Sequence, residues 1–271
     1  MNSALILEHD ALYPAARLVG LLRDFGIPCD VRKLHAGDVA PNNLDETRLL
    51  VLLGGAMRTV DVGLDRFPFL SKSVEVAKAF VNADRPVIGI GFGAELLSVA
   101  AGAKVTENRK PSPPPANAGD APTPGELAPE FGWTPINYPF PGGVEPAVFG
   151  MIDGSPFFNW HTDTFAMPAF PPPAVAPTPP ARAPTGNALM ASSRACRVQA
   201  YRYKNRVFGF QYHFELDRAD IDKIVQTRGA EAQLGSDAIS KINSDTIKFY
   251  PRYERAGVKM VQNLVQFLKS Y

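Results

Sequence analysis

Short, wholly apolar runs alternate along this chain with longer stretches whose apolar residues recur every three or four positions. "ALILEHD" (4–10) opens as a buried strand. "ALYPAARLVGLLRDFG" (11–26) follows as a helix, with Leu18, Leu21, Leu22 and Phe25 at helical spacing and Gly26 as its stop. "PCDVRKLH" reads as a second strand and "RLLVLLGG" (48–55) as a third. "FLSKSVEVAKAFVNAD" (69–84) is an amphipathic helix, and "PVIGIG" is the next strand, feeding a helix over 94–101. Strands alternating with helices predict an α/β fold with a mostly parallel central sheet flanked by helices. Ligands of such sheets bind beyond the carboxyl ends of the strands. Gly54-Gly55 and the Gly89–Gly93 turn both fall at that edge.

Beyond "AAGAKVTE" the texture changes. Residues 109–129 and 165–186 are rich in proline and lack apolar periodicity, so both read as loop insertions in a single domain spanning 1–271. "EFGWTPINY" restores order between them. After the second, "ALMASS", "RVQAYRYK" and "RVFGFQYHFEL" read as strands, and the tail from Arg218 is helical.

Composition narrows the function. The net charge of +1 gives no electrostatic case for nucleic acid or an anionic membrane. No apolar stretch reaches membrane-spanning length, and "MNSALILEHDALYP" has no basic region ahead of its apolar run, unlike a signal peptide. Cys29 and Cys196 form neither a disulfide framework nor a zinc pattern. A cytoplasmic protein without metal or cofactor is expected.

The chemistry centres on Gly89-Ile90-Gly91-Phe92-Gly93, which has the G-x-Nu-x-G spacing of a nucleophile elbow with Gly91 in the nucleophile's place. Four further stretches join it: "VLLGGAM", "DRFPFLSKSVEVAKAF", "EFGWTPI" followed by "WHTDTFAMP", and "FGFQYHFEL". In this order they resemble the class I, triad-type glutamine amidotransferase family over nearly the full chain. The resemblance implies a flavodoxin-like architecture. In that family a cysteine thiolate attacks the glutamine amide, a histidine shuttles the proton, a carboxylate orients the histidine, and backbone amides hold the oxyanion. By resemblance His213 matches the histidine and Glu215 the carboxylate. Gly55, beside Gly54, and the amide of Phe92 match the oxyanion donors. Gly91 stands at the cysteine position, Glu95 at the family's glutamine, and Phe214 at the proline between histidine and glutamate. Cys29, Cys196 and Ser98 are off the turn and offer no substitute.

Without a thiol there is no thioester, and Glu95 is expected to set a carboxylate where a substrate anion would meet like charge. The expected function is therefore a non-catalytic, glutamine amidotransferase-like subunit for ligand binding, regulation or complex formation. Its expected partners are a small-molecule ligand and a protein partner or second copy of the chain. The alternative is an enzyme of different chemistry, with water in the space beside Gly91 activated by His213 and Glu215. His161 with Asp163 reads as an acid–base or metal pair, or as a structural loop; three or four converging ligands would be needed for metal. His9 with Asp10 reads as a surface pair, and Trp133 and Trp160 as packing residues.

Overall fold

The structure, a computed structural model, describes residues 3–110, 124–139, 145–166 and 186–269. In chain order it begins with β1 (Ser3–Glu8), α1 (Leu18–Asp24), β2 (Cys29–Lys33), β3 (Thr47–Leu52), α2 (Phe69–Asn82), β4 (Val87–Ile90) and α3 (Phe92–Ala100). There follow β5 (Lys104–Glu107), β6 (Glu130–Ile136), β7 (Ser155–His161), β8 (Asp163–Ala166), β9 (Ala188–Ala191), β10 (Ala200–Tyr203) and β11 (Val207–Phe210). Helices α4 (Arg218–Glu231) and α5 (Ser236–Lys269) close the chain.

The central sheet has seven strands in the order β2-β1-β3-β4-β11-β10-β9. The first five pair in parallel, and only β10 runs against the others. Two antiparallel pairs, β5 with β8 and β6 with β7, stand beside it. The architecture is thus α/β with a mostly parallel sheet.

The period of two along each strand assigns its side chains to opposite faces. Ala4, Ile6, Leu49, Val51 and Leu53 enter one core, which contains residues of α1, α4, α5 and the β6–β7 pair. Leu5, Leu7, Leu50 and Leu52 enter the other, against α2 and α3. Leu50, Val51, Leu52 and Leu53 are wholly buried, each contributing about 1.5–3 kcal/mol relative to exposure. Helix α4 starts on a reciprocal cap: Asp217 accepts from the Asp220 amide at 3.0 Å, while the Asp220 carboxylate accepts from the Asp217 amide.

Three sequence expectations shift. Strand β1 ends at Glu8, and α1 begins only at Leu18. Between them Asp10 Oδ1 accepts from the Leu12 amide at 2.9 Å, a local turn that competes with helix, and Ala16 has φ 41°. His213 and Glu215 lie past the end of β11 rather than on a strand, because the His213 amide turns away to the Phe158 carbonyl of β7 at 2.8 Å. Of the proline-rich segments, 111–123 and 167–185 lie outside the described residues. The flanks of the first meet each other, with the Lys110 amide donating to the Glu126 carbonyl at 2.9 Å.

Candidate functional site

The turn from β4 into α3 explains its glycines. Gly91 has φ 56° and ψ −127°, a conformation that L side chains rarely adopt. Its amide donates to Phe210 on β11 at 2.8 Å, and its carbonyl accepts from Ala94 at 2.9 Å. A side chain on Gly93 would run into the Leu52 carbonyl, so the start of α3 lies directly on the end of β3. That contact brings Gly54 and Gly55 to the helix start, where the first amides, from Phe92 onward, have no partner within the helix. A Cβ on Gly55 would sit 3.4 Å from the Phe92 ring.

The His213 imidazole comes to the same place. Its Nδ1 is 2.7 Å from Glu215 Oε1, and Glu215 Oε2 accepts from the Phe214 amide at 2.9 Å; both side chains are essentially buried. The carboxylate therefore fixes the Nδ1 proton and directs Nε2 at the turn. A Cβ built on Gly91 would lie 2.9 Å from His213 Cε1 and 3.0 Å from Nε2. The space expected beside Gly91 for a water is instead filled by the ring. Tyr13 covers its other side, ring centroid to centroid 5.3 Å. A Cβ on Gly54 would meet both Tyr13 and His213 at 2.9–3.0 Å.

A cavity of about 110 Å³ opens next to this cluster. Gly55, Phe92 and Glu95 are among its walls, whereas His213 and Gly91 are not. Glu95 corrects an expectation. Burial pushes its carboxyl up to about 8, so at neutral pH it is predominantly a neutral acid and not the like charge anticipated. Gln211 Nε2 donates to its Oε1 at 3.1 Å, while Gln211 Oε1 has no partner among the described residues.

Besides Arg228, charge in the cavity wall comes from a pair the sequence did not signal. Arg58 makes a two-pronged contact with Asp163, at 2.8 and 2.7 Å, across 105 residues of chain. Asp163 is therefore engaged by Arg58 and is not the acid–base partner of His161. The His161 ring instead bonds the Asp163 backbone carbonyl through Nδ1 at 2.8 Å and faces Glu130 Oε2 through Nε2 at 3.1 Å. Trp160 and Arg228 also line the cavity, and the Trp160 indole N–H has no partner among the described residues. Trp133 packs as expected, its Nε1 donating to Thr246 at 2.9 Å. His9 is not a surface residue: it is buried, bonded to the Leu53 carbonyl and Ser73 Oγ, and burial lowers its pKa to about 4. Cys29 and Cys196 are both free, and burial pushes the Cys196 thiol up to about 11. Ser98 is turned away to Tyr201 Oη at 2.9 Å.

No protein-family model matches the chain. Among known proteins, the glutamine amidotransferase-like protein YfeJ of Salmonella typhimurium is 26% identical over 222 residues, 80% of this chain and 77% of that protein. A component of the glutamine-hydrolysing GMP synthase of Thermoplasma volcanium is 23% identical over 204 residues, 75% of this chain and 78% of that one. Among solved structures, a glutamine amidotransferase from Thermotoga maritima superposes with a TM-score of 0.72 at 17% identity, over 99% of both chains. One from Methylobacillus flagellatus gives 0.69 at 20% identity, over 98% of this chain and 95% of that one. These relatives and neighbours are glutamine amidotransferase-like, and the fold is the class I architecture. Among the described residues, no helix is long and apolar enough to cross a membrane.

Proposed function

We propose that the chain is one glutamine amidotransferase-like unit without glutaminase activity, serving in the cytoplasm as a ligand-binding or regulatory subunit. In this reading Gly91 takes the place of the nucleophilic cysteine on a nucleophile elbow. His213 and Glu215 are retained partners with nothing to activate. The two free thiols agree with a reducing compartment.

One observation carries the reading. The His213 ring comes so close to Gly91 that a Cβ there would already be 2.9 Å from it, and neither residue opens on the cavity. A general base must reach the proton it removes, directly or through one water. Here the base is packed between the turn and Tyr13. The same packing weighs against a hydrolase with water held between His213 and Gly91. Ligand binding falls instead to the adjoining cavity, whose walls combine Gly55 and Phe92, the neutral Glu95 and the Arg58–Asp163 pair.

The test is turnover. Purified protein incubated with glutamine should release no ammonia above a buffer blank, and glutamine-analogue alkylating reagents should leave the cavity unlabelled. Ammonia release that disappears in His213→Ala overturns the proposal.

A further inference from the structure

We propose that Glu130, His161 and Cys196 form a site for one zinc ion, separate from the Gly91 turn. The three come from the start of β6, the end of β7 and the segment leading into β10. Their carboxylate, imidazole and thiol atoms all lie within 4.8 Å of one another, and all three residues are buried. Small side-chain movements bring such a set to the roughly 2.0–2.3 Å bonds of zinc. Mixed sulfur, nitrogen and oxygen donors favour zinc over calcium or magnesium, which take oxygen ligands.

The surroundings resemble the outer shell of a metal centre. His161 Nδ1 faces a backbone carbonyl, that of Asp163, which holds the proton on Nδ1 and turns Nε2 toward Glu130. Metal-bound histidines are oriented in this way. Nε2 lies 3.1 Å from the Glu130 carboxylate oxygen, so imidazole and carboxylate already face one another where a cation would sit. Ser193 holds two of the ligand residues at once: its Oγ donates to Glu130 Oε1 at 2.8 Å and accepts from the Cys196 amide at 2.9 Å.

Gln199 supplies an independent indication. It is fully buried, its Oε1 has no partner among the described residues, and its Nε2 lies 2.6 Å from Glu130 Oε2 and 3.5 Å from His161 Nε2. Turning the amide over exchanges oxygen for nitrogen and offers a fourth donor atom at the same point. A cation would stabilise that arrangement of lone pairs. His161 also lines the cavity, which gives the ion a route in. On binding, the thiol releases a proton to solvent and the imidazole ligates through its Nε2 lone pair. Carboxylate and thiolate then balance the two charges of the ion.

Chelator-stripped, full-length protein should take up one zinc ion per chain by elemental analysis. Cobalt in its place should give a thiolate-to-metal charge-transfer band in the near ultraviolet. Cys196→Ser should abolish that band and weaken zinc binding by about tenfold or more, whereas Cys29→Ser should retain both. The site is overturned by substoichiometric uptake, by a cobalt spectrum without the thiolate band, or by a band lost in Cys29→Ser. If Cys196→Ser does not fold, the wild-type and Cys29→Ser spectra decide alone. None of these readouts depends on glutaminase activity.

Discussion

The Phe214 carbonyl lies against Gly257 of α5 so closely that no side chain fits between them. Arg17 completes the contact, donating through Nη2 to the same carbonyl at 2.8 Å. The long C-terminal helix thus presses on the backbone between His213 and Glu215. Gly257→Ala should destabilise the fold by about 1–3 kcal/mol, the usual cost of overpacking, because the added methyl meets both the Arg17 guanidinium and the Phe214 backbone carbonyl, and the carbonyl cannot swing aside. Chemical denaturation measures it. A variant as stable as wild type would show that α5 slides freely over this segment.

Gly91→Cys should not create a glutaminase. A Cβ at position 91 meets the His213 ring at 2.9 Å, and the residue must hold φ 56°. Backbone strain of this kind costs on the order of 1–3 kcal/mol for a residue with a side chain. The expected outcome is a lower melting temperature and no ammonia from glutamine. Robust turnover by this single variant would mean that the imidazole yields easily.

Glu95 predicts a pH-dependent stability. Its carboxyl titrates near 8 when folded against an ordinary value of 4.5. From about pH 4.5 to about 8 the folded state holds a proton that the unfolded state has lost, so this group makes stability fall as pH rises. The full span is worth on the order of 5 kcal/mol. Glu95→Gln should match wild type in acid and gain on it steadily up to about pH 8, levelling beyond. Urea unfolding across that range checks this; a stability difference independent of pH would contradict it.

His9 works in the opposite sense. Burial holds it near 4, against 6.5 when exposed, so the unfolded chain binds the extra proton first. Its contribution is present above about pH 6.5 and is lost as pH falls toward about 4, a span on the order of 3 kcal/mol. The two slopes oppose each other between about pH 4.5 and 6.5. In Glu95→Gln, where only His9 of the two remains, acid sensitivity in that window should become steeper than in wild type.

The alternation of strands and helices was legible because both faces of the central sheet are buried and its inner strands β1, β3 and β4 carry nearly unbroken apolar runs. The start of α1 was not, since the turn around Asp10 and Ala16 overrides the apolar spacing that follows. The Gly91 turn and His213 could be read from local order, for each lies next to a strand end. Arg58 with Asp163, and Glu130 with His161 and Cys196, could not: dozens of residues separate the partners, and the sheet pairings that join them leave no local period. The carboxylate of Glu95 was visible in the sequence, but its charge depends on burial, which only the fold determines.

A glycine at the tightest turn also changes how the ligand edge of the sheet should behave mechanically. The left-handed backbone at Gly91 stores little strain, and its amide and carbonyl are tied to Phe210 and Ala94 in a buried setting. The amides of Gly91 and Ala94 should therefore exchange with deuterium only when the whole molecule opens. A ligand arriving at Gly55 and Phe92 meets a surface already in its final shape, so little of its binding energy goes into ordering the protein.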